Sequence, residues 1–263
     1  MINKEDYDEP RCVLCMDNKE RVPMDRVIEK LDSYIENGEY ERAESHLKYW
    51  LSEAEANEDR AGELVILGEL MGFMRKNMRS EEAVRYAEAG ISKAEKYGYS
   101  DTVTGATCIL NAGTVFRNAL EFNKSAACYE KAEKIYEESL EASDDRLGGL
   151  YNNYASTLTE LGRFDEAIDR YEKALKIMSS SADGRLECAI TYLNMADLFV
   201  KRDGEEAAQG KTDELLDKAY ECLIDERNEK NAYYKFVLDK CIPAYDYFGQ
   251  FLKSAELKGL LDE

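Results

Sequence analysis

The chain has 263 residues, 44% of them hydrophobic and 34% charged, and 35 Lys and Arg against 55 Asp and Glu leave a net charge of −20. So acidic a surface repels phosphate backbones and anionic lipid, which excludes nucleic acid and membranes as bulk partners and leaves plain solubility or attraction to a basic partner as its role. The opening MINKEDYDEPRC has no apolar signal core, and no later run approaches the roughly 20 apolar residues of a membrane span, so a cytoplasmic location is expected.

Residues 1–22 combine mixed charge, Pro10 and no helical period, and are expected to form a flexible arm. Within it Cys12 and Cys15 make a CxxC. Two thiolates at this spacing can hold a zinc ion or act as a redox pair, but no second CxxC or neighbouring His completes a site, so no metal and no cofactor is assigned. Cys108, Cys128, Cys188, Cys222 and Cys241 fall among apolar helix positions and read as reduced core residues.

From Pro23 onward apolar residues recur at helical spacing, and no proline interrupts residues 24–242. Val27, Ile28, Leu31, Tyr34 and Ile35 mark a first helix ended by Asn37 and Gly38, and Tyr40, Ala43, Leu47 and Trp50 a second reaching Ala56. Glu58–Lys76 and a helix opening at Ser80 form the next pair. Gly113, Phe116, Phe122, Tyr129 and Ala132 belong to a third. The fourth, Gly149–Met178, turns at Leu161–Phe164, with small Ala155, Ala167 and Ala174 beside Tyr151, Tyr154, Leu158, Ile168, Tyr171 and Leu175. The fifth starts near Leu186, turns at Asp203 and Gly204, and reaches Leu223. Residues 228–263 are dense in Tyr and Phe and predict a long helix bearing Pro243, a turn near Gly249 and Gln250, and a short final helix. Their aromatics either cap the fifth pair or form an exposed patch suited to a homodimer.

The fourth pair resembles a tetratricopeptide repeat (TPR), with its aromatic, Leu-Gly and Tyr on the first helix, Gly turn, and Ala, Tyr and Ala on the second. Spacing extends the resemblance, because 42 residues separate Tyr129 from Tyr171, Gly113 from Ala155 and Gly90 from Ala132, and 41 separate Ala155 from Ala196. The usual period is about 34 residues. Longer helices and connections at Glu138–Asp145 and Ser179–Asp183 would absorb the excess, as in kinesin light chains and the peptide-sensing regulators of Gram-positive bacteria, which these repeats resemble. The fold expected is an all-α right-handed superhelical solenoid of five to six antiparallel helix pairs, over 23–227 with 228–263 as its cap.

The resemblance implies a binding module whose first helices line a concave groove. Asn111, Asn153 and Asn194 then fall at one repeated position, each offering the donor and acceptor that grip a peptide backbone, or else satisfying neighbouring helices. Alignment adds Asn152, Ser156, Thr114, Asn118, Lys76, Asp197 and Lys201. Arg75 and Arg117 can capture a carboxylate, or pair with Glu69, Glu121 or Glu160. Leu110, Thr114 and Gly149 stand where the chaperone adaptors of the family carry Lys, Asn and Lys, which argues against binding of chaperone tails. The single His, His46, and the absence of GxSxG, HExxH and a phosphate loop argue against an enzyme. The function expected is capture of a protein or peptide segment. Its alternatives are a peptide-responsive sensor without a DNA-binding domain, and an adaptor that self-assembles through the C-terminus.

Overall fold

In the computed structural model of the protein, residues 21–181 and 184–262 are described. Pro10, Cys12 and Cys15 lie outside them. Among the described residues there are twelve α-helices and no strand: α1 (Met24–Glu36), α2 (Tyr40–Ala56), α3 (Arg60–Lys76), α4 (Ser80–Tyr97), α5 (Val103–Asn118), α6 (Phe122–Ser139), α7 (Asp145–Glu160), α8 (Phe164–Met178), α9 (Gly184–Asp203), α10 (Glu205–Ile224), α11 (Ala232–Tyr247) and α12 (Phe251–Asp262). This is the all-α repeat class expected. The chain divides into two compact units, residues 1–139 with α1–α6 and residues 140–263 with α7–α12.

One backbone device reverses the chain inside most pairs. After α3 the amide of Met78 donates to the Arg75 carbonyl at 3.2 Å and that of Arg79 to the Met74 carbonyl at 2.9 Å; after α5 Leu120 donates to Arg117 at 3.0 Å and Glu121 to Phe116 at 2.8 Å. The same pair of bonds follows α1, α7 and α11. These bonds satisfy the carbonyls that a helix end leaves open, and they need a residue of positive φ at the apex. That residue is Gly38, Gly162 and Gly249 in three of the turns, but Met78 (φ 59°) and Leu120 (φ 61°) in the other two. A similar turn between pairs places Glu58 at φ 53°, so α3 starts at Arg60, two residues later than the apolar pattern predicts. There Asp59 caps the helix, accepting from the Gly62 amide at 3.0 Å and from the Val22 amide at 2.9 Å. Val22, the last residue of the expected arm, is buried at 5% exposure.

Large and small residues alternate at the helix contacts. In the first unit Val27, Leu31, Leu47, Leu67, Leu70, Met71 and Met74 pack against Ala43, Ala87, Ala94 and Ala112. In the second, Ala155, Ala167 and Ala174 are fully buried beside Leu158, Tyr154 and Tyr171, as the pattern predicts. Each fully buried Leu, Ile or Met side chain contributes about 1.5–3 kcal/mol, so such a stripe on every helix outweighs any single surface ion pair. The C-terminal aromatics split between the two roles expected of them. Tyr234 and Tyr245 are buried, their hydroxyls donating to the carbonyls of Leu223 (3.1 Å) and Leu216 (3.0 Å), whereas Tyr233, Phe236, Tyr247 and Phe251 remain exposed.

Gly105 is fixed by a close approach, since a Cβ there would lie 1.8 Å from the Tyr99 carbonyl oxygen, whereas one at Gly72 would meet nothing within 4 Å. Gly105→Ala is expected to lower stability by about 2 kcal/mol or more, and Gly72→Ala, inside α3, to raise it by about 0.5–1 kcal/mol. Urea unfolding followed by circular dichroism checks both. A second expectation concerns acid. The guanidinium of Arg79, which also holds Glu82, and the ammonium of Lys48 keep the Glu44 carboxyl down at about 2. A carboxyl whose folded value is depressed adds stability that is full above its unfolded value and disappears as pH falls toward the folded one. Glu44→Gln should therefore lose less stability than wild type between about pH 5 and pH 2, read as the difference between the two urea midpoints across that range.

Candidate functional site

In the first unit α3 packs beside α5, and each helix keeps a polar stripe out of the core: Glu69, Arg75 and Lys76 on α3; Asn111, Thr114, Arg117 and Asn118 on α5. Asn111 is half-buried, with its Nδ2 only 2.8 Å from where a Cβ at Gly68 would stand. The missing side chain at Gly68 makes room for the amide. The Asn111 side chain has no hydrogen-bond partner among the described residues. Thr114 Oγ1 lies 2.9 Å from the Tyr129 hydroxyl, which reaches in from α6 by passing Gly113, where a Cβ would come within 3.1 Å of the ring.

Arg75 and Arg117 carry the charge of this face. Neither forms an ion pair among the described residues. The partners that the sequence offered are engaged elsewhere or left alone: Glu121 holds Lys124 at 2.6 Å, Glu160 holds Lys201, and burial pushes the Glu69 carboxyl up without an ion pair. The Arg75 guanidinium is held below its ordinary value by burial and by the nearby charge of Arg117. The two cations thus lie within electrostatic reach of each other, an arrangement that costs stability unless something negative comes between them. Burial raises the Tyr129 phenol, with Arg117, Thr114 and Ser125 acting against it.

In the second unit the asparagines divide. Asn152 is buried, and its Oδ1 accepts from Thr191 Oγ1 at 3.2 Å and from Asn194 Nδ2 at 3.1 Å, tying α7 to α9. Asn153, half-exposed on α7, has no side-chain partner among the described residues. Ser156 is half-exposed one turn further on. Asp197 and Lys201 pair with each other at 3.0 Å. Asn111 and Asn153 therefore share an unpaired amide at one repeat position, while Asn194 spends its donor inside the protein. Sequence reasoning missed Gly68, Tyr129 and Thr191 as neighbours of these residues. The spacing of Tyr129 from Tyr171 was a signal for the second of them, but its hydroxyl contact depends on the gap at Gly113.

His46 Nε2 lies 3.0 Å from the Val27 carbonyl, and its ring stands edge-on to Tyr34 and Trp50, a packing position. Cys108, Cys128, Cys188 and Cys241 are buried and reduced, and Cys222 is half-buried. Burial pushes the Cys108, Cys188 and Cys241 thiols up to about 12. Among the described residues no group of three or more His, Cys, Asp or Glu is arranged to hold a metal, and no helix is long and apolar enough to cross a membrane.

Residues 146–210 match the family model of the tetratricopeptide repeat. No curated protein matches the chain. Among solved structures, BtubC (BKLC) from P. vanneervenii is similar over 80% of this chain and 84% of its own, at 17% identity and a TM-score of 0.65. The nearly identical TPR-like repeats of a candidate kinesin light chain from Podosopora anserina are similar over 76% of this chain and 93% of theirs, at 16% identity and a TM-score of 0.54. Residues 146–210 thus match the tetratricopeptide repeat directly, and the chain has the fold of TPR-like helical repeats.

The two kinds of asparagine should separate in unfolding experiments. Asn152→Ala removes the acceptor of the Asn194 amide and leaves the Thr191 hydroxyl with the Glu187 carbonyl at 2.9 Å, and is expected to cost about 1–3 kcal/mol, whereas Asn111→Ala and Asn153→Ala, which break no internal bond, should stay within about 0.5 kcal/mol of wild type. Equilibrium urea unfolding of the three variants distinguishes them.

Proposed function

We propose that the protein is an interaction scaffold each of whose two units holds extended polypeptide along the first helices of its pairs. The observation that carries this reading is an unpaired, half-buried amide in each unit, Asn111 in the first and Asn153 in the second, at equivalent positions of the repeat 42 residues apart in sequence. An unpaired amide offers both a donor and an acceptor, the set that a peptide group of any side chain requires. Each bond made with such a segment is worth about 0.5–1.5 kcal/mol net, so recognition needs several in register. Asn118 and Ser156 supply further polar contacts beside them. Asn194 adds its carbonyl oxygen, with Asn152 behind it as a positioning residue rather than a contact. Arg75 and Arg117 set the charge preference of the segment. A TPR fold supports protein interaction in general, and these residues supply the finer reading.

The test is fluorescence polarisation with peptides selected on the wild-type protein from a random dodecapeptide library. The Asn111→Ala/Asn153→Ala double variant is expected to bind them about tenfold or more weakly, the loss of one to two net hydrogen bonds, with an unchanged unfolding midpoint. Equal affinity of the variant for every selected peptide would remove the inner face as the binding site.

A further inference from the structure

The turns inside the pairs of the first unit contain two apolar residues that the fold itself disfavours. At the apex of the turn inside a pair, Gly38, Gly162 and Gly249 hold positive φ, but the α3–α4 and α5–α6 turns carry Met78 at 59° and Leu120 at 61°. A left-handed conformation costs a side-chain-bearing residue roughly 1 kcal/mol that glycine avoids. Both side chains also face solvent, Met78 at 90% and Leu120 at 74% exposure, so neither recovers that cost by burial. Two apolar side chains thus occupy a strained, exposed position in successive pairs, where glycine would serve the fold better.

One of the cations described above precedes each of them by three residues. The amide of Met78 donates to the carbonyl of Arg75, and that of Leu120 to the carbonyl of Arg117, so each apolar knob is locked by backbone to its own arginine. Arg75 and Arg117 make no ion pair among the described residues, and Lys76, exposed beside them, makes none either. In the second unit the same position before Gly162 is Thr159, which is buried; the α9–α10 turn is built differently, with the Gly204 amide on the Val200 carbonyl, and Lys201 beside it is neutralised by Glu160 and Asp197. The combination of free cations and exposed apolar knobs belongs to the α3–α4 and α5–α6 turns.

We propose that this edge of the first unit docks an acidic, amphipathic segment of a partner protein, with carboxylates between Arg75 and Arg117 and apolar side chains on Met78 and Leu120. Charge complementarity chooses the occupant. In a protein of net charge −20 the unpaired arginines form a local positive site, and only an anionic group relieves their mutual repulsion. This inference rests on the scaffold reading for the arginines, and it adds a second contact outside the asparagine face.

The test uses the full-length protein and a fluorescein-labelled dodecapeptide of the repeated unit Glu-Leu-Glu-Phe, with two controls, one carrying Lys in place of every Glu and one Ser in place of every Leu and Phe. The acidic apolar probe is expected to bind about tenfold or more tightly than either control. Arg75→Gln/Arg117→Gln should weaken it about 10- to 100-fold. Met78→Gly/Leu120→Gly should weaken it about tenfold while melting at the same or a higher temperature, because glycine removes the left-handed strain. That last pairing of results separates a docking role from a structural one. No binding of the probe, equal binding of the Lys control, or unchanged affinity in the Met78/Leu120 variant would overturn the proposal. If library peptides still depend on Asn111 and Asn153 while the probe ignores both edge variants, the scaffold reading survives and the acidic docking edge does not.

Discussion

The left-handed turn that closes five of the six helix pairs is the constraint on which the rest of this structure depends. Two backbone bonds, from the apex residue and the one after it, end the first helix and aim the second back along it. Because the turn is tight, the facing stripes of the two helices must meet in register, and alanines such as Ala155 and Ala167 set how closely they approach. Repetition of the turn at nearly constant spacing brings equivalent residues of successive first helices to equivalent places. The face bearing Asn111, Arg75 and Arg117 is a product of that repetition.

The same regularity makes the pairs legible in the sequence. Helix ends at Asn37 and Gly38, at Leu161–Phe164, at Asp203 and Gly204, and near Gly249 all coincide with positive-φ residues, for which glycine is the ordinary solution. Apolar periodicity supplied the helices between them, including α11, which carries Pro243 inside it. The start of α3 was displaced by two residues because Glu58 adopts a left-handed turn that its side chain does not advertise.

The candidate site was less legible, for a physical reason. Sequence period places Asn111, Asn153 and Asn194 at one position but cannot say where their hydrogen bonds go. That is decided by neighbours of other types: Thr191 and Asn194 converge on Asn152 across α7 and α9, and Gly68 opens room for Asn111. For the arginines, acids abundant enough to neutralise them lay nearby in sequence, and only the structure shows those acids engaged with Lys124 and Lys201 or without an ion pair. Exposed Met78 and Leu120 resemble ordinary surface residues until their backbone angles are known.

Asp59 has a mechanical consequence. One carboxylate grips the amide of Val22, just ahead of α1, and the amide of Gly62, at the start of α3. Tension applied at the N-terminal side of Val22 therefore has a route to the head of α3 that bypasses α1 and α2. Those two helices sit inside a closed loop of chain, clasped at both ends, and peeling them away requires the clasp to open first.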